Sequence, residues 1–89
     1  MGLMTLMTSS DSIERCRQVP LHFVLGMTSA NRKVKIRCPF HNERTPSCTL
    51  FPTGGFHCFG CGAHGNSVDF ITKMGESFET AINELKKYI

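Results

Sequence analysis

Eighty-nine residues allow one domain, and at this size the buried core is thin for its surface. Apolar residues make up 40% of the chain, with seven Phe, one Tyr and no Trp, and the formal charge is +3. No apolar run approaches the ~20 residues that span a bilayer, so a membrane-spanning helix is excluded.

The opening Met1-Gly2-Leu3-Met4-Thr5-Leu6-Met7 has no basic residue ahead of its short apolar stretch, unlike a secretory signal. Leu6 also breaks the myristoylation pattern. A cytoplasmic chain is therefore expected. In that reducing compartment, an odd count of five cysteines argues against a disulfide scaffold. Another staple is needed.

In chain order, residues 1–9 read as a flexible leader without function, and residues 10–89 as one domain. Ser10 or Asp11 is placed to cap a first helix carrying Ile13, Cys16 and Val19. Pro20 suits the first turn of a second short helix through Phe23, Val24 and Leu25, ended by Gly26. Thr28 to Arg32 is polar and loop-like.

From Lys33 the apolar period falls to two. Val34 and Ile36 alternate with Lys33, Lys35 and Arg37, the pattern of a strand with one wet, basic face. Strands from Ser47 to Phe51 and from Gly55 to Cys58 flank a three-residue loop, Pro52-Thr53-Gly54, with Gly54 in the left-handed position. That loop pairs Leu50 with Phe56, Thr49 with His57 and Cys48 with Cys58. Cys48, Leu50, Phe56 and Cys58 then share one face, and Thr49, Phe51 and His57 the other. Asn66 caps a helix with Val68, Phe70 and Ile71 inward, closed by Gly75. Ser77 caps a last helix whose Phe78, Ile82, Leu85 and Ile89 are expected to pack on the strands, or else to form a docking stripe.

The strongest chemistry is Cys38-Pro39-Phe40-His41, sixteen residues, then Cys58-Phe59-Gly60-Cys61. Two ligand pairs, each split by two residues, form two tight knuckles that the intervening hairpin brings together. The result is a tetrahedral site of three sulfurs and one nitrogen, suited to one structural zinc. Gly60 and Gly62 are expected to give the second knuckle its backbone freedom. His64, two residues beyond Cys61, is an alternative to His41, and His57 adjoins Cys58. Cys16 and Cys48 read as packed thiols. Structural zinc contributes on the order of 10–16 kcal/mol of apparent binding energy. An ordinary domain is stable by only ~5–15 kcal/mol, so loss of the metal should unfold the ribbon.

Cys38-Pro-Phe-His-Asn-Glu-Arg-Thr-Pro-Ser47, then Phe56-His-Cys-Phe-Gly-Cys-Gly-Ala-His-Gly-Asn66 and Val68-Asp-Phe70, closely resembles the zinc-binding domain of bacterial DnaG-type and related phage primases. The likeness runs from about Lys35 to Ile71 and weakens on either side. It implies a small α+β fold: a zinc ribbon with an antiparallel sheet and short flanking helices. It supports Cys38, His41, Cys58 and Cys61 as the ligands. It further implies a module that binds single-stranded DNA template and helps choose where a primer starts, with catalysis supplied by another domain or chain. Three departures stand out. Cys48 replaces a usual aromatic, the hairpin loop is short, and the chain ends at Ile89 without an acidic catalytic core.

Charge is concentrated near the first knuckle, where Arg32, Lys33, Lys35, Arg37 and Arg44 face Glu43 alone. Lys33, Lys35 and Arg37 on one strand face, with Phe51 and His57 if the strands form one sheet, suit phosphates and unpaired bases. Phe59 and His64 are candidate base readers. The plainer alternatives are a solvated basic face, Phe59 packed beside the zinc, and Arg44 paired with Glu43 or a helix acid. Two functional classes follow. The first is template recognition within a primase, with a catalytic primase or polymerase chain and a replicative helicase as candidate partners. The second is a protein-interaction adaptor that docks on such machinery. A cysteine redox enzyme, using Cys58 and Cys61, is a third.

Overall fold

The computed structural model describes residues 11–42 and 44–89. The expected leader, the Ser10 cap and the Glu43 partner of Arg44 lie outside the described residues. Asp11 is already helical, so it does not serve as the cap.

Among the described residues, four strands form one antiparallel meander: β1 (Val34–Ile36), β2 (Cys48–Leu50), β3 (Phe56–Cys58) and β4 (His64–Gly65), in that spatial order. The central pairing is the expected one, with Cys48 opposite Cys58, Thr49 opposite His57 and Leu50 opposite Phe56. Its turn carries the expected signature, since Gly54 sits at φ +101° and the Phe51 amide donates to Gly55 O at 2.9 Å. β1 joins the same sheet, pairing Lys35 with Thr49. Strand pairing stops one residue short of several expected ends. Lys33, Arg37, Ser47, Phe51 and Gly55 fall outside the ladders.

Helix α1 covers residues 11–17, and α2 (Leu21–Val24) is a single turn. Its closure is a Schellman motif. Met27 N–H donates to His22 O at 2.8 Å and Gly26 N–H to Phe23 O at 3.1 Å, with Gly26 at φ +88°. The buried side chains here are Leu21 and His22, whereas Phe23 and Leu25 are exposed. So short a helix has no period from which to read a buried face. His22 Nε2–H donates to Arg32 O at 2.8 Å, tying α2 to the loop before β1.

Asn66 caps α3 (Ser67–Lys73) through a reciprocal box. Asp69 N–H donates to Asn66 Oδ1 at 3.0 Å, and Asn66 N–H to Asp69 Oδ2 at 2.9 Å. Ser77 caps α4 (Phe78–Leu85) by accepting from Thr80 N–H at 3.1 Å, and a 3₁₀ turn over Lys86–Tyr88 follows.

Two apolar clusters hold these layers. Under the sheet, Leu21, Cys38, Cys48, Leu50, Phe56, Cys58 and Phe70 pack together. Phe40, Phe56 and Phe70 meet there in tilted and edge-on contacts, with centroids 5.0–5.8 Å apart. The second cluster joins Cys16, Val19, Val68, Ile71, Ala81, Ile82 and Leu85. Helix α4 therefore packs on α1 and α3, not on the strands as expected. Only the middle of its stripe is buried. Phe78 and Ile89 are exposed, and Ala81 takes the inner place.

Ser67 bridges the clusters. Its buried Oγ lies 2.9 Å from Gly54 O at the hairpin tip, and it also contacts Arg17 O at the end of α1 and Val19 O just beyond it. A Cβ on Gly54 would stand 2.6 Å from Arg17 O, so the turn needs glycine for space as well as for φ.

Candidate metal centre and nucleic-acid face

Cys38 and His41 come from the turn after β1, and Cys58 and Cys61 from the end of β3 and the turn beyond it. One ligand atom from each lies within 4.8 Å of all the others. Cys38 Sγ and Cys61 Sγ are 3.7 Å apart, and Cys58 Sγ is 3.9 Å from His41 Nδ1. Two thiolates at ~2.3 Å from a tetrahedral zinc stand roughly 3.8 Å apart, so the donor set and its spacing fit the ion. All four positions are protein ligands. His64 is not among them.

The chain also prepares the sulfurs. Phe40 N–H points at Cys38 Sγ at 3.4 Å, and Ser47 Oγ lies 3.4 Å from Cys58 Sγ. Burial raises the Cys58 thiol, yet the Ser47 hydroxyl and the amides of Cys61 and Gly60 outweigh it and bring the group to about 6. Burial drives Cys38 the other way, up to about 12. Gly62, at φ +82°, supplies the expected backbone freedom. Gly60 acts differently. Its φ is not in the left-handed region, but an added Cβ would lie 2.8 Å from His41 Nε2 and 2.9 Å from Ser47 Oγ. It is there for space.

Across the sheet, the outer face reads Lys35, Thr49, His57 and His64 in register from β1 to β4. The rings of His57 and His64 are 5.9 Å apart and 27° from parallel, and Phe59 lies 4.4 Å from His57. Phe59 is 69% exposed, so it does not pack beside the metal. Lys33, Val34, Lys35, Thr49, Phe51 and Phe59 line a shallow groove of about 310 Å³. One wall is basic and the other aromatic. Among the described residues, no strand contributes an acidic residue.

The family model described as the CHC2 zinc finger of DnaG matches residues 20–89. The chain belongs to that family. Among curated relatives, the DNA primase of Haemophilus influenzae is 39% identical over 82 residues, covering 90% of this chain and 13% of the relative. The DNA primase of Chlamydia trachomatis is 49% identical over 55 residues, covering 60% and 9%, and that of Escherichia coli K12 is 52% identical over 50 residues, covering 54% and 9%. The chain thus spans about a tenth of the length of these relatives.

As a CHC2 zinc finger, the domain carries one structural zinc on Cys38, His41, Cys58 and Cys61. Of the other residues singled out from sequence, the fold gathers Lys33, Lys35, Phe51, His57, Phe59 and His64 on or beside one sheet face. Arg37 is exposed just beyond β1, and Arg44 is exposed in the loop before β2. Cys16 and Cys48 are both fully buried, as expected of packed thiols. Sequence reasoning missed Thr49 as the floor of the groove, only 5% exposed. Strict alternation put it outward but gave no hint that flanking side chains would cover it. Among the described residues, no helix is long and apolar enough to cross a membrane.

Proposed function

We propose that this CHC2 zinc finger is the single-stranded DNA template recognition module, or a small subunit, of a primase, with primer synthesis carried by another domain or chain. The supporting observation is the groove with Lys33 and Lys35 on one wall and Phe51 and Phe59 on the other. Phosphates of a single strand meet the ammonium groups while exposed bases lie on the rings, an arrangement that tolerates any base through its π-face. Arg37 and Arg44 extend the basic rim toward the metal knuckle. Zinc has no direct part in binding. It fixes the two turns from which Phe59 and the β4 histidine project.

In this reading the chain is non-catalytic alone and works in the cytoplasm beside a catalytic primase or polymerase chain, with a replicative helicase as a further partner. Fluorescence anisotropy tests it. Single-stranded DNA should bind more tightly than duplex, and affinity should fall with salt by roughly 0.7 of a log unit per log unit for each phosphate engaged. Replacing Lys33, Lys35 and Arg37 by Ala should weaken binding while leaving the zinc in place. Absence of saturable binding at low salt refutes template recognition. It would favour the adaptor reading, which rests on the exposed Phe78 and Ile89 of the last helix and its tail.

A further inference from the structure

The zinc site uses three cysteines, an odd number, and Cys48 supplies a fourth sulfur beside it. Cys48 stands directly opposite Cys58 on the inner face of the β2–β3 hairpin, in the same apolar cluster. The ladder hydrogen bonds show which kind of pair this is. Phe59 N–H donates to Ser47 O and Phe51 N–H to Gly55 O, both at 2.9 Å. Pairs 47/59, 49/57 and 51/55 are therefore the hydrogen-bonded ones, and Cys48/Cys58 is a non-hydrogen-bonded pair. Such pairs bring their Cα atoms to about 4.5 Å, with side chains on one face. That separation falls within the ~4.4–6.8 Å range of disulfides. The Cys58 amide turns away to Ala63 O at 2.7 Å, so no bond from that amide crosses the gap to β2. The remaining two ligand sulfurs, Cys38 and Cys61, are already 3.7 Å apart.

We propose that Cys48 is a resolving cysteine that makes oxidation of this zinc site reversible, with a peroxide as the oxidant. Cys61 is the exposed cysteine of the five and meets the oxidant first. Its thiolate attacks the peroxide O–O bond, giving Cys61 sulfenic acid and, after protonation, water. The Cys38 thiol displaces the sulfenic hydroxyl as a second water, closing Cys38–Cys61. With two ligands gone, zinc leaves as Zn²⁺, and the new Cys38–Cys61 bond ties the two turns together in its place. A second peroxide then oxidises Cys58, and the Cys48 thiol displaces water to close Cys48–Cys58. Each peroxide accepts two electrons from one pair of sulfurs. Without Cys48, Cys58 would be left alone on the path to sulfinic acid, which common reductants do not reverse. Cys16 takes no part, because it lies in the helical cluster with its sulfur 3.8 Å from Ile82 O. This chemistry is independent of nucleic-acid binding.

The test is to treat the zinc-loaded chain with hydrogen peroxide, follow zinc release with a chromogenic chelator, and map disulfides by non-reducing mass spectrometry. Chymotryptic cleavage after Phe40, Phe56 and Phe59 separates Cys38, Cys48, Cys58 and Cys61. Peptides bearing Cys48 joined to Cys58 are expected, with Cys16 recovered as a thiol. Recovery of Cys48 as a thiol from chain in which Cys58 has been oxidised overturns the proposal. When dithiothreitol and zinc are restored, Cys48→Ala should regain at least about twofold less zinc than the unchanged chain and carry sulfinic acid on Cys58. Equal recovery also overturns it. Should Cys48→Ala fail to load zinc at the outset, the disulfide map of the unchanged chain decides by itself: a Cys48–Cys58 bond supports the proposal and its absence overturns it.

Discussion

His57 on β3 stands opposite His64 on β4, with their rings 5.9 Å apart and 27° from parallel, and Phe59 stands 4.4 Å from His57. Three rings from one short stretch thus share the outer face, although only His57 lies in a strand long enough to show alternation. Replacing Phe59 by Ala should weaken single-stranded DNA binding by about 1–3 kcal/mol, the worth of one stacked base. Anisotropy titration at fixed salt measures this, and zinc content should not change. The same substitution leaving affinity intact would remove the ring from the binding face.

Chelation should unfold the sheet end of the molecule. The inner cluster contains Cys38 and Cys58 among its seven buried members, so two of the four metal ligands are themselves part of the core. Adding a strong chelator, or replacing Cys61 by Ser, should abolish the far-ultraviolet signal of the β-sheet and broaden its NMR resonances. A folded metal-free ribbon would contradict the role of zinc as the staple.

Acid should release the zinc, because its thiolate ligands must then take up protons. In the folded but metal-free form, which the unfolded chain outweighs, Cys58 is held at about 6, below its ordinary 9.0. Its contribution to stability is complete above 9.0 and is lost as the pH falls towards 6. Cys38 is raised to about 12, so its contribution is complete below 9.0 and is lost as the pH climbs towards 12. Zinc needs both as thiolates. Because the sheet unfolds without its metal, both thiols start from their ordinary 9.0, and binding at neutral pH expels a proton from each. Chelator-competition affinities should therefore fall by at least about a hundredfold per pH unit from neutral to acid pH.

Two glycines should prove irreplaceable for different reasons. Gly60→Ala pushes a methyl to 2.8 Å from His41 Nε2, so it should lower zinc affinity while leaving the distant helical cluster intact. Gly54→Ala adds a left-handed penalty of ~1–2 kcal/mol to a clash with the Arg17 carbonyl, and should destabilise the fold by more than that penalty. Thermal melts with and without excess zinc distinguish the two, because only the first should be rescued by metal.

On the last helix, Leu85→Ala should cost about 2–5 kcal/mol, since Leu85 is fully buried in the helical cluster. Phe78→Ala, at an exposed position, should stay within about 0.5 kcal/mol. Denaturant titration of the zinc-loaded chain compares them directly.

The central hairpin was legible because two local signals agreed: a period of two and a glycine at the left-handed turn position. Cys38, His41, Cys58 and Cys61 were legible from spacing, which reports a knuckle without help from the rest of the fold. The Asn66 and Ser77 caps were readable for the same local reason. What sequence did not give is contact between distant elements. β4 spans two residues, too few for alternation, and is held by partners such as Ala63 O on the Cys58 amide. The stripe on α4 announced a buried face but not its partner. Two clusters could accept that face, and only the placement of α1 and α3 decides. His22 was unreadable because a single helical turn has no repeat, and its burial depends on a carbonyl ten residues away.

The carboxyl end of α1 roofs the hairpin turn, so likeness and architecture draw the domain differently. The family match opens at residue 20, yet Cys16 and Val19 are built into the helical cluster, and Arg17 and Gln18 close over Gly54. A fragment trimmed to the matched region would keep every zinc ligand while opening the helical cluster to water where Cys16 meets Ile82. Its defect would appear far from the metal, as a sticky helical flank. An expression boundary for this domain therefore belongs ahead of α1.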